Sequence, residues 1–442
     1  MTERKMRLGA FLQPTGQHLA AWRHPDAVVD AGTNIAHYVE LAQIAERGLF
    51  DMIFVADRLG FLAEDKTILK HTVRNIAHFE PMTLLSALAL QTSHIGLAAT
   101  QTTSYMEPFN MARKFASLDH ISAGRSAWNV VTSNYEDESL NFGREQHYGA
   151  AERYERATEF VEVVTGLWDT WEDDAFPHDK EKGIFFDDEK LHVLNHKGKH
   201  FSVKGPLNVA RPPQGWPVII QAGTSEPAKE LSARFADVVF SAEQDINAAK
   251  RFYADVKSRL AKYGREEDAI KVMPGIMAIV GTTKAEAQRR FDELQDLVPP
   301  EVGLNLLSQT MQMDMSKYDI DAPMPELDVT GKWSRAQMML DLAKLNNWTV
   351  KDAYKSVSAG RGHWVVIGTA SEIADQMELW LTEKAADGFN VMPPVFPGDL
   401  SAFVDLVIPE LQRRGLFRTH YEGSTLRENL GVVRPRHFAA RN

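Results

Sequence analysis

The chain has 442 residues, 44% of them hydrophobic and 25% charged, and no cysteine. The near-average fractions exclude disordered and fibrous classes, and the missing thiols exclude disulfides, iron–sulfur clusters and cysteine nucleophiles. Lys and Arg number 49 against 60 Asp and Glu, a net charge of −11 without a basic run, so nucleic acid and anionic membrane are poor partners.

The length suits two or three domains of roughly 150 residues, or one α/β barrel. No apolar signal core follows the charged start Met1–Arg7, and the longest apolar stretch, Met82–Leu90, is broken by Thr83 and Ser86. A cytoplasmic location is therefore expected. Leu8–Leu12 reads as a first strand and Asn34–Arg47 as a helix closed by Gly48. Met52–Ala56 is a second strand, and Pro81 opens a helix through Leu90. Ile95–Thr103, a helix from Pro108 to Gly124, the strand Ala127–Thr132 and a helix around Tyr154–Trp168 continue the alternation.

Strands at Val218–Gln221, Val238–Phe240 and Val272–Val280 follow, with helices at 226–235 and 246–263. Thr283 and Glu286 have the spacing of a capping box. Phe389–Met392 is the eighth strand, before a helix from Ser401 to Arg413. Eight apolar strands alternating with helices predict a (β/α)8 TIM barrel as a single domain over 1–442, against a doubly wound sheet with a second domain. Two insertions interrupt the repeat. Residues 172–216 carry a predicted hairpin, Leu191–Val203, around Lys197-Gly198-Lys199; residues 298–363 hold two helix-like pieces and are a lid candidate or a support for oligomer contacts.

No G-x-G-x-x-G follows a strand, and Walker A, H-E-x-x-H and G-x-S-x-G motifs are missing. His192, His196 and His200 are spaced by four, but a hairpin would spread them, so no metal site is expected there. Polar residues instead gather at strand ends: Asp57 after the second, Thr100, Thr102 and Ser104 on the third, Asn129 and Thr132-Ser133-Asn134 on the fourth, and Gly223-Thr224-Ser225 after the fifth. In a barrel these ends share the active-site rim. The last group, before a helix, suits a phosphate.

Specific runs carry a resemblance over essentially the whole chain: Ala21-Trp-Arg-His-Pro25, Glu107–Arg113, Phe115–Ser133, Gly205–Val209, Pro217–Gly223 and Pro409–Gly415. The chain resembles the nitrilotriacetate monooxygenase branch of the bacterial-luciferase-like flavin monooxygenases. The resemblance implies an oxygenase that takes reduced FMN from a separate NADH-dependent flavin reductase, uses O2, and oxidises a small compound with C–N or C–S cleavage. Carried over by position, it implies that Asp57, Thr102 (Thr103 as the alternative), Asn129 and Tyr154 line the flavin ring and ribityl chain, with Thr224 and Ser225 on the phosphate. Where many relatives have a His before the Arg-Tyr pair, Ala150 precedes Arg153-Tyr154, and His147 is the candidate replacement. His18 and His363 are the expected catalytic residues near the substrate, with Trp22, Arg23, His24 and Arg361 as further candidates. A homodimer or homotetramer is what relatives suggest. The alternatives are a deazaflavin-dependent dehydrogenase and a flavin-binding protein without turnover.

Overall fold

A computed structural model describes residues 4–61, 66–73, 75–329 and 334–441 of the chain. Among the described residues eleven strands occur in order: β1 (Arg7–Leu12), β2 (Met52–Val55), β3 (Gly96–Thr102), β4 (Ser126–Val131), β5 (His196–Lys197), β6 (Ser202–Val203), β7 (Val218–Ala222), β8 (Val238–Ser241), β9 (Lys271–Val280), β10 (Trp364–Gly368) and β11 (Gly388–Val391). Eight of them, β1-β2-β3-β4-β7-β8-β9-β11, close into a parallel barrel through the β11–β1 pairing. The predicted (β/α)8 barrel is the observed one.

Alternation along each strand explains the two-layered core. Leu8, Ala10, Ile53, Val55, Leu97, Trp128 and Val239 face the surrounding helices, whereas Phe11, Phe54, Ala98, Ala127, Ile220 and Met273 fill the barrel. The same parity sends Thr100, Thr102 and Asn129 inward.

β10 has no counterpart among the eight expected strands. The long β9 pairs with β8 over Lys271–Pro274, touches β11 at Gly275 and Ile276, and carries β10 on its far half, Ile276–Val280. Gly48 caps the helix Ile35–Arg47 as expected, at φ −76°, with the left-handed turn falling on Leu49 at φ 59°. Thr283 accepts from the Glu286 N–H, but the Glu286 carboxylate accepts from the Thr282 N–H, so the predicted box is only half formed. The insertion 298–363 holds three helices, Pro300–Met311, Ser334–Asn346 and Val350–Gly360, rather than two; its residues 330–333 lie outside the described ones. They pack around Leu307, Met311, Met315 and Tyr354 and cover Leu19 and Ala20. The hairpin in 172–216 is limited to His196 opposite Val203 and Lys197 opposite Ser202.

The amino ends of the strands are stitched by buried carboxylates, each accepting a strand N–H: Asp51 from Leu8, Asp119 from Ser126, Asp237 from Ile219 and Asp387 from Val272. Arg418 pairs with Asp51 and Arg427 with Asp237, both pairs buried. Both arginines follow the last barrel strand. No helix among the described residues is long and apolar enough to cross a membrane.

Candidate active site

At the carboxyl ends of β2, β3, β4 and β7 lies a cavity of about 550 Å³, within the range of cofactor sites. Asp57, Thr102 and Ser225 line it, as their positions at strand ends predict, and so does Tyr154 of the helix Ala150–Trp168, expected from the family resemblance. Asp57 accepts the Arg58 N–H at 2.9 Å, and burial pushes its carboxyl up to about 6. Thr102 Oγ1 accepts from the Ser133 hydroxyl at 2.9 Å and from the Ser104 N–H at 3.1 Å. Asn129, one strand over, donates through Nδ2 to Thr100 Oγ1 at 2.9 Å, leaving its Oδ1 buried without a partner. A buried amide oxygen in that state is costly unless a ligand donor meets it.

The other end of the cavity is suited to an anion. Ser225 caps the helix Glu226–Phe235, accepting from the Ala228 N–H, and its hydroxyl donates to Tyr154 Oη at 3.3 Å. Gly223 has φ 149°, and a Cβ there would lie 3.1 Å from the Ala228 Cβ, so the turn needs glycine. The positive end of this helix's dipole favours a phosphate, although Pro227 carries no N–H and those of Ala228 and Lys229 bond Ser225. Arg153 also lines the cavity; its Nη1 donates to the Ser133 carbonyl, while Nε is buried without a partner.

Other expected residues lie elsewhere. Thr103 has the opposite parity and donates to the Val131 carbonyl, and Thr224 is exposed beside the cavity rather than on its wall. His147 is engaged at both ring nitrogens, accepting from the Tyr105 hydroxyl and donating to the Ser133 carbonyl at 3.0 Å, and burial holds its pKa down. Ala150 borders the cavity itself. His18 is buried under the long insertion: Nδ1 accepts from the Ala20 N–H, so Nε2–H donates to Gln295 Oε1 at 3.0 Å. Burial drives its pKa down to about 4, so it is neutral at neutral pH. His363 stacks on Phe240, centroids 5.0 Å apart, and Phe240 packs on Phe11 and Phe54 inside the barrel. Trp22 donates to the His71 carbonyl at 3.1 Å and Arg23 to that of Leu297, so neither presents its polar group to the cavity.

Among the wall residues outside the expected set are Arg58, Glu138 and Gln221. Arg58 lies 3.7 Å over the Tyr135 ring and pairs with Asp137 at 2.7 Å, clasping two loops across the mouth. Glu138 is 3% exposed, with Oε2 unpartnered and its pKa pushed up by burial. Gln221 donates to the Ala222 carbonyl and accepts from Ser232, bracing the glycine turn. Only Gln221, inside a predicted strand, had a positional signal.

Residues 15–387 match the luciferase-like monooxygenase family. The chain is 50% identical to N-acetyl-S-(2-succino)cysteine monooxygenase of Bacillus subtilis (strain 168), over 98% of this chain and 99% of that one. It is 47% identical to nitrilotriacetate monooxygenase component A of Aminobacter aminovorans, over 99% of each. The crystal structure of DmoA from Hyphomicrobium sulfonivorans superimposes with a TM-score of 0.91 at 31% identity, covering 99% of this chain and 95% of that one. Likeness on this scale extends from the barrel through both insertions to the tail, and this protein belongs to the luciferase-like monooxygenase family.

Proposed function

We propose that the protein is the oxygenating component of a two-component system, using FMNH2 delivered by a separate NADH:FMN oxidoreductase, and O2, to oxidise a small carboxylated amine or thioether with C–N or C–S cleavage. The observation that carries the cofactor is one cavity running from polar groups at Asp57, Thr100 and Thr102 to an anion-suited end at Ser225 and Arg153, with the unpartnered Asn129 Oδ1 buried next to Thr100. A flavin mononucleotide has a hydrogen-bonding ring at one end and a phosphate at the other. The two relatives whose names give carboxylated substrates, a thioether and an amine, support the substrate class.

Reduced FMN, when bound, supplies the electrons that activate dioxygen. The chain binds and orients it: Ser225, the helix start behind it, Thr224 from its outer edge and Arg153 would hold the phosphate. Thr102 and Tyr154 would hold the ribityl chain, and Asn129 and Asp57 the ring. The Arg58–Asp137 ion pair would help hold the two loops together at the mouth. Substrate would meet the ring on its barrel-interior side, toward His363, which stacks on Phe240. His18, bonded at both nitrogens, positions the insertion through Gln295. The protein would work in the cytoplasm as a homo-oligomer.

The test is turnover with a flavin reductase, NADH and FMN on N-acetyl-S-(2-succino)cysteine and nitrilotriacetate. Oxygen uptake coupled to product formation is expected. Failure on both, and on related aminopolycarboxylates, would sink the substrate class; hydride transfer without oxygen uptake would favour a deazaflavin dehydrogenase, and peroxide alone a flavin binder without turnover.

A further inference from the structure

Away from the cavity, the three evenly spaced histidines of the 172–216 insertion find three different partners. His196 bonds Glu159 at 3.0 Å and His200 lies 3.7 Å from Glu155, but His192 meets both Glu172 and the tail residue His437. We propose that Glu172, His192 and His437 form a site for one divalent transition-metal ion, with zinc the best match, that pins the C-terminal tail to the insertion.

The three side chains come from three separate stretches. Glu172 and His192 flank the antiparallel bridge between Trp171 and Leu191, and backbone bonds from Glu172 to Lys190 and from His192 to Thr170 set them side by side. His437 arrives on the tail, 6% exposed. One ligand atom from each residue lies within 4.8 Å of the other two. A tetrahedral zinc with bonds near 2.0–2.1 Å holds its ligands about 3.3 Å apart, so closing the site requires shifts of roughly an ångström.

The donor set selects the ion. Two imidazoles and a carboxylate suit zinc and its first-row neighbours, whereas calcium and magnesium take oxygen shells. The outer shell is already in place. His437 donates Nε2–H to the Asp169 carbonyl at 2.7 Å, which fixes the tautomer and makes Nδ1 the lone-pair nitrogen. Nδ1 now accepts only a 3.2 Å bond from the Ala439 N–H. The Asp169 carboxylate is braced by Arg211 and by the Trp216 N–H at 3.0 Å. Arg434 pairs with Asp173 beside it, so the tail approaches the site along a fixed path. The ion would take the place of the hydrogen between His192 Nε2 and Glu172 Oε1, now 2.8 Å apart, with that hydrogen moving to Nδ1 of the neutral imidazole.

The test uses the full chain, stripped with a chelator, dialysed free of it and titrated with ZnCl2 by calorimetry. One saturable site per chain and a rise in the thermal midpoint are expected, and Co2+ in its place should give the visible absorption of a tetrahedral ion. Glu172→Ala and His192→Ala, both at partly exposed positions, should each weaken zinc binding at least about tenfold with unchanged circular dichroism. His196→Ala should leave it intact. No saturable uptake, uptake that survives both substitutions, or equal loss in His196→Ala would overturn the site. None of these readouts depends on flavin or substrate, so they are independent of the oxygenase reading.

Discussion

Arg153 is where a single charge decides most. It lines the cavity with Nε unpartnered, beside the start of the Glu226–Phe235 helix. Replacing it with alanine should weaken FMN binding by about 1.5–3 kcal/mol, roughly ten- to a hundredfold in a fluorescence titration. Asp57 makes a second prediction, through pH. Its folded pKa, about 6, lies above the usual carboxylate value near 4, so the native state holds the proton more tightly than the unfolded chain. Stability is therefore unpenalised below about pH 4 and is lost as pH rises through about 6. The apoprotein of Asp57→Asn should unfold at higher denaturant than the parent at pH 7, with the gap closing by pH 4. Asp57, Thr102 and Ser225 were legible as cavity groups because strand parity and strand ends fix their direction, whereas Tyr154, on a helix, was legible only through the family resemblance. Arg58, Glu138 and Arg153 were not selected as cavity groups: they reach the wall from loops or a helix start, whose approach depends on contacts across the mouth.

At the scale of elements, Glu80 does two jobs. Its carboxylate accepts the Met82 and Thr83 N–H groups at 3.0 and 2.8 Å, capping the helix Pro81–Leu88, and it receives the Gln101 amide from β3 at 2.7 Å. Glu80→Ala should cost about 1 kcal/mol or somewhat more in urea unfolding, with the m-value unchanged. The barrel strands were legible because each is a short apolar run between turn residues. Trp364–Gly368 has the same character but follows directly on an insertion, and nothing local distinguishes an appended strand from the end of a lid. Full capping boxes at Thr349, Thr369 and Thr425 passed unnoticed, while Thr283, which was singled out, forms only half of one. Spacing permits the second bond; the local backbone chooses whether Thr282 or Thr283 receives it.

The whole molecule divides its labour between two rims. Chemistry collects at the carboxyl ends of the strands, and the amino ends are closed by the four buried carboxylates. Arg427 binds both oxygens of Asp237, at 2.9 and 2.8 Å, and also bonds backbone carbonyls of Trp216 and Pro217. Arg427→Ala leaves that carboxylate buried without its cation, so a loss of about 3–5 kcal/mol is expected in equilibrium unfolding, with FMN affinity little changed under native conditions.

Arg418 and Arg427 also impose an order on biosynthesis. Asp51 and Asp237 emerge from the ribosome long before the cations that neutralise them, because all eleven strands are translated first. A nascent barrel that closed early would trap two anions without counter-charges, which favours an open or chaperone-held intermediate until residues 418–427 arrive. The charge balance at the base of the barrel is thus complete only once the last strand and the segment behind it have been made.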